Sequence, residues 1–177
     1  MSQTFSVYVT SLSDYNAGIL HGKWIDLDDC IDIGILQTNV QEMLAASPTA
    51  KKTGLPSEEY AIHDYEGFPP NSIAEYASLS YVWDLYKEYK KADDDGNLDA
   101  FIAFKTYYDD GSYESFLEKY QGQYSSKEDF AYEFLDSCGE LDSIPIHLRY
   151  YFDYEAYTRD LFIDSYTFID GYVFSNN

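Results

Sequence analysis

Phe5-Ser6-Val7-Tyr8-Val9-Thr10-Ser11-Leu12 alternates around β-branched and aromatic side chains, which is the pattern of a half-buried strand. After it, Ser13 to Gly22 reads as a loop around Asn16 and Gly18, because both residues favour turns. Lys23 to Leu27 is a short second strand. Ile31, Ile35, Val40, Met43 and Leu44 recur at helical spacing, and Ser47-Pro48 stops that helix. Ala50 to Ser57 reads as a loop and Glu59 to Asp64 as a third strand. Strands interrupted by a single helix predict an α+β unit.

Helix dominates the next stretch. Leu79, Val82, Trp83, Tyr86 and Tyr89 make an apolar stripe behind Ser78, a natural N-cap. Asp84 and Glu88 stand three residues before Lys87 and Lys91, so local pairs balance this helix. Asp93-Asp94-Asp95-Gly96-Asn97 breaks it. Leu98 to Tyr108 resumes as helix until Asp109-Asp110-Gly111. Further on, Ser126 and Asp129 form a capping-box pattern, and Phe130, Ala131, Phe134, Leu135 and Cys138 share one helix face up to Gly139. Tyr154, Tyr157 and Leu161 mark another helix. Tyr166 to Ile169 and Tyr172 to Phe174 read as strands around Asp170-Gly171. The expected fold is α+β: an elongated chain of small modules with an N-terminal α+β module (1–70), a helical middle (71–110) and a C-terminal α+β module (111–177).

The charge is extreme. Among 177 residues, 32 are Asp or Glu and 11 are Lys or Arg, a net of −21. Nucleic acid and anionic membranes are polyanions, so this charge excludes both as non-specific partners. Disorder is also excluded. Leu, Ile, Val and Phe number 42, and aromatic residues make up 19% of the chain, whereas acidic disordered segments are poor in aromatics. No apolar run approaches the roughly 20 residues of a membrane helix, and no signal-peptide pattern precedes Phe5. A soluble cytoplasmic protein is expected. Cys30 and Cys138 lie far apart in sequence and read as two buried free thiols.

Catalytic and metal motifs are weak. Asp93 to Asp99 resembles a calcium loop, but positions six and twelve hold Leu98 and Phe104 where Gly and Glu belong. His21, His63 and His147 are too scattered for zinc. They read as surface or hydrogen-bonded residues. There is no Gly-x-Ser-x-Gly and no phosphate-binding glycine loop. No cofactor is expected. Glycoside hydrolysis stays open, since among 32 acids some pair stands at a suitable separation. The aromatics that would stack sugars read equally as core packing.

What stands out is acid placed against its own interest. Glu114 and Glu118, like Asp129 and Glu133, put like charges four apart on a helix, which is destabilising. Residues 1–91 hold 13 acids and 6 bases, and residues 92–177 hold 19 acids and 5 bases. Solubility needs a net charge of about 2–8 in magnitude. Duplex DNA carries one charge per roughly 1.7 Å, so 21 charges correspond to roughly 36 Å of duplex. An acid-coated surface of that density fits the basic groove of a DNA-binding enzyme.

Two sets of residues go further. One is Tyr8-Val9-Thr10-Ser11-Leu12-Ser13-Asp14-Tyr15-Asn16-Ala17-Gly18, then Gly22-Lys23-Trp24-Ile25-Asp26, then Tyr60-Ala61-Ile62-His63-Asp64-Tyr65-Glu66. The other is Ile144-Pro145, Leu148, then Tyr150-Tyr151-Phe152-Asp153-Tyr154-Glu155-Ala156-Tyr157-Thr158-Arg159-Asp160-Leu161. Together they resemble the ArdA-type antirestriction proteins of plasmids and conjugative transposons. Residues from about 76 to 124 match in acidity rather than motif, and Ala50 to Ser57 looks like an insertion.

The resemblance implies an elongated homodimer without enzymatic activity. Its surface carboxylates would imitate the phosphates of bent B-form DNA. It would occupy the DNA-binding groove of type I restriction-modification enzymes, at their methyltransferase core, and so protect incoming mobile DNA. The carboxylates expected to stand in for phosphates are Asp109, Asp110, Glu114, Glu118, Glu128, Asp129, Glu133, Asp136, Glu140 and Asp142. The family's antirestriction motif, associated with the dimer contact, would fall at about Asp136 to Tyr150. There Leu141, Ile144, Pro145 and Leu148 are candidates for packing across the dimer or within one subunit. His63 and Asp64 read as a hydrogen-bonded corner. An acidic carbohydrate-active enzyme and an acidic adaptor for basic proteins remain the alternatives.

Overall fold

A computed structural model describes residues 3–177, which divide into two compact units at the 96/97 boundary, unit 1 up to residue 96 and unit 2 from 97 to 177. Together they hold nine α-helices and two three-stranded antiparallel sheets among the described residues, an α+β fold.

Unit 1 is built on β1 (Ser6–Ser11), flanked by β2 (Gly22–Asp26) and β3 (Tyr60–Glu66) in the order β2-β1-β3. Val7, Val9 and Ile25 are buried. Helix α2 (Ile33–Ala45) packs on β1 and β2, and buries Leu36, Val40, Met43 and Leu44. Asp32 starts it by accepting the Ile35 N–H at 3.0 Å. Helix α4 (Leu79–Asp94) packs in turn on α2, with Val82, Leu85, Tyr86, Tyr89 and Ala92 buried. Ser78 caps it at 3.2 Å as expected, and Lys87 pairs with Asp84 at 2.8 Å.

Two short helices replace expected loops. Helix α1 (Leu12–Asn16) is a single turn capped by Ser11. Helix α3 (Pro48–Thr53) begins where Ser47-Pro48 was expected only to end α2. Ser47 accepts the Ala50 N–H at 3.0 Å, and Pro48 stands at the first turn, where no N–H is needed.

Unit 2 begins with α5 (Leu98–Tyr107) and α6 (Tyr113–Lys119). Strand β4 (Tyr120–Gln123) follows, then α7 (Lys127–Ser137). A 3₁₀ turn (Glu140–Ser143), α8 (Ile146–Arg149) and α9 (Tyr154–Asp164) come next. The chain closes with β5 (Tyr166–Ile169) and β6 (Tyr172–Ser175). Asp170 and Gly171 both take positive φ (50° and 88°), as a tight two-residue hairpin requires. Strand β4 has no strand-like sequence, and its pairing with β6, Tyr120 opposite Phe174, makes it one. The core is aromatic: Phe116 is fully buried, its ring centroid 5.6 Å from those of Phe101 and Phe104 and 4.9 Å from that of Tyr120.

Both cysteines are free, but only Cys30 is buried. Cys138 is exposed because it caps α7 beyond the last turn of the apolar face, just before Gly139 turns the chain at φ 65°.

Candidate functional site

The structural boundary redistributes the charge. Unit 1 holds 16 acids against 6 bases, a net of −10, and unit 2 holds 16 against 5, a net of −11. The contrast between sequence halves came from Asp93, Asp94 and Asp95, which close α4 in unit 1. All ten acids singled out from the sequence lie in unit 2.

Nine of them, Asp109, Asp110, Glu114, Glu118, Glu128, Asp129, Glu133, Asp136 and Asp142, are exposed. Glu140 lies in the 3₁₀ turn. Helix α6 carries Glu114 and Glu118, four apart and about 6 Å along the axis. Helix α7 carries Glu128, Asp129, Glu133 and Asp136. The last three share one side at spacings of four and three, about 10 Å end to end. Glu128 and Asp129 sit in the first turn, where the helix dipole favours them. Ser126 completes that start by accepting the Asp129 N–H at 3.0 Å.

The bases of unit 2 largely ignore these acids. Lys105 donates to the backbone carbonyls of Asp109 and Gly111. Lys119 donates to the carbonyl of Asn177 at 3.0 Å and lies over the Tyr108 ring. Lys127 lies over the Phe162 ring at 5.3 Å. Arg159 pairs with Asp160, and Arg149 with Asp142 at 3.2 Å. Among the described residues, Asp142 is the one site acid in an ion pair. Among the described residues, eight exposed carboxylates on α6, α7 and the loop before α6 are therefore in no ion pair, and Glu133 among them accepts the Tyr124 hydroxyl at 3.4 Å.

The motif segment is apolar and open. Leu141 and Ile144 are half-buried, while Pro145 and Leu148 are exposed. Ile146, Tyr150 and Tyr151, which the sequence reading did not single out as contacts, are 82%, 90% and 79% exposed. Their signal was present as a run of large apolar residues with no helical periodicity.

Two polar groups in unit 1 hold the fold. Asp14 is wholly buried. Its carboxylate accepts the Ser11 hydroxyl at 2.6 Å and the Thr49 N–H at 2.8 Å. Burial works to raise its pKa, but the hydrogen bonds from Ser11, Ser47 and Thr49 outweigh it and hold the carboxyl well below the usual range. His63 reaches the Thr10 hydroxyl through Nδ1 at 3.3 Å and the Glu75 carboxylate through Nε2 at 3.5 Å, and Asp64 accepts the Tyr65 N–H at 2.9 Å.

A family model described as antirestriction protein (ArdA) matches residues 7–174. The chain belongs to the ArdA antirestriction family. Its function is therefore antirestriction and its partners are restriction enzymes. ArdA is a family of antirestriction proteins, not a known enzyme family. No curated protein matches this ArdA chain. No helix among its described residues is long and apolar enough to cross a membrane.

Proposed function

We propose that the chain is a DNA mimic that inhibits type I restriction-modification enzymes. It binds the DNA groove of the methyltransferase core and keeps incoming mobile DNA out of it, in the cytoplasm where that DNA arrives. The observation that carries this reading is the set of unpaired carboxylates on α6, α7 and the loop before α6, in a unit whose lysines are turned to carbonyls and rings. A protein using acid for solubility alone would gain by pairing it locally. Left unpaired, the carboxylates present charge at a density of the same order as a DNA strand, one per about 3.4 Å. A groove lined with Lys and Arg gains on meeting them as it gains on meeting phosphates.

The acting species is a homodimer, which extends the charged surface to roughly the length of 71 Å of duplex. Leu148, Pro145 and the neighbouring Ile146, Tyr150 and Tyr151 form an exposed apolar segment of the sort that a subunit contact covers. In sedimentation, Tyr150→Ser with Tyr151→Ser lowers the dimer fraction.

The test is competition. A type I methyltransferase core is held on a labelled target duplex and the protein is titrated in at several salt concentrations, beside an unrelated protein of equal charge. Stoichiometric displacement by this protein alone, weakening as salt rises, supports the reading. Displacement by both proteins alike, or by neither, overturns it. Within the same assay, the variant Glu128→Gln, Asp129→Asn, Glu133→Gln, Asp136→Asn displaces less well and shows a shallower salt dependence.

A further inference from the structure

The sheet of unit 1 has a second face, and its composition is unusual. In register across the three strands, Trp24, Tyr8 and Asp64 stand side by side, and the next row on the same face is Asp26, Ser6 and Glu66. The Tyr8 and Trp24 rings lie 5.4 Å apart. Gly22 makes room for the Tyr8 ring: a Cβ there would stand 2.9 Å from it and 2.7 Å from the Val9 carbonyl oxygen. Trp24 is 43% exposed, Asp64 and Glu66 are exposed and Asp26 is half-buried. Among the described residues, none of these three carboxylates is in an ion pair. Lys23, next to Trp24, points to the other face and donates to Asn39 at 2.6 Å.

A cross-strand aromatic pair by itself needs only to stabilise its hairpin. This pair does so while rimmed by three unneutralised carboxylates and open to solvent. That combination has one natural occupant. The face of an indole or phenol ring attracts a cation, and a planar guanidinium stacks there while its edge donates to carboxylates. An ammonium group gains the charge but not the stack.

We propose that this open sheet face receives arginine side chains of the basic partner, stacked on Trp24 and Tyr8 and held at the edge by Asp26, Asp64 or Glu66. The inference rests on the reading of the partner as a basic groove, and adds that unit 1 reads the kind of cation and not only its charge. Selection of arginine gives the inhibitor a preference among positively charged surfaces that uniform acidity does not provide.

The experiment uses the full chain carrying Trp83→Phe, so that Trp24 is its single indole. Octa-arginine and octa-lysine peptides, blocked at both ends, are titrated at constant ionic strength. Octa-arginine should shift or quench the Trp24 emission and bind more tightly, by about two- to fivefold for each stacked contact. Trp24→Leu, followed through a dye on the peptide, should bring the two peptides level and leave the salt dependence unchanged, because no charge is altered. If that variant does not fold, Asp26→Asn with Asp64→Asn keeps the indole readout and should reduce the preference. Equal affinity for both peptides overturns the proposal. So does a preference that survives Trp24→Leu, or a Trp24 signal that follows protein concentration without peptide, which would place a second copy on the face. A chain that displaces duplex from the methyltransferase core without preferring arginine retains the mimicry and loses this platform. One that prefers arginine and displaces nothing retains the platform and loses the mimicry.

Discussion

Removing the carboxylate of Asp14 tests how unit 1 is held together. This group ties three pieces: the end of β1 through Ser11, the turn α1 on which it sits, and the first turn of α3 through the Thr49 N–H. Around it, Ser13 and Ser57 are 2.9 Å apart, extending the network to the chain before β3. A hydrogen bond to a charged group contributes about 1.5–3 kcal/mol, and a buried partner left unsatisfied adds to its loss. Asp14→Ala removes at least the bonds from the Ser11 hydroxyl and the Thr49 N–H and should destabilise unit 1 by about 3–5 kcal/mol, a large share of the 5–15 kcal/mol typical of a folded domain. Asp14→Asn keeps the shape but turns one acceptor into a donor, and should cost about 1–3 kcal/mol. Both tryptophans, Trp24 and Trp83, lie in unit 1, so urea unfolding followed by tryptophan fluorescence reports that unit, and circular dichroism reports both. The fluorescence transition should move to lower urea. The pH dependence has a definite sign. The folded pKa lies below the ordinary aspartate value of about 3.9. The contribution is therefore complete above that value and is lost as pH falls below it toward the folded pKa. The gap between wild type and Asp14→Ala should be full at pH 6 and smaller at pH 3. A gap under about 1 kcal/mol, or one that grows as pH falls, would refute the reasoning.

Phe116→Ala leaves a cavity among Phe101, Phe104, Tyr113 and Phe174 and should cost about 3–5 kcal/mol, seen by circular dichroism while tryptophan fluorescence stays unchanged. A thiol reagent should titrate one cysteine quickly in the native protein, Cys138. Cys30 should react only on unfolding, since burial and then Asp29 and Asp26 push its thiol pKa up. Single neutralisations such as Glu118→Gln or Asp110→Asn should each change duplex displacement little. One substitution that abolished inhibition in a folded protein would disprove a distributed charge signal.

Elements with a hydrophobic period were legible in the sequence: β1, α2, α4, α7 and the closing hairpin needed only local pattern and caps. What escaped was made by partners. Strand β4, Tyr-Gln-Gly-Gln, exists because β6 pairs with it. The short helices α1 and α3 exist because buried polar groups, Asp14 above all, satisfy their ends. The acids of the candidate surface could be named from sequence because exposure is what an acid does by default. The orientation of the lysines could not, because a Lys beside an acid in sequence reads as its partner. Lys119 next to Glu118 is the case in point: its ammonium goes to the carbonyl of Asn177.

That use of cations separates the proposed role from the bland alternative. Capping carbonyls and covering rings stabilises unit 2 and leaves its carboxylates without contact ion pairs, while each lysine still counts in the net of −11. Had the three lysines instead stood four residues from Glu114, Asp129 or Glu133, the local helices would gain and the field beside those acids would shrink. The stabilisation lost there is recovered indoors: the ring cluster around Phe116 packs far more apolar surface than surface pairs of this kind, worth at most a few tenths of a kcal/mol in helices, would return. An aromatic core is thus what lets a small unit tolerate unpaired acid. Replacing surface acids by lysine should therefore make unit 2 more resistant to urea while making the protein a poorer competitor for the enzyme's groove. A change that improved both would mean the acid serves neither purpose assigned to it.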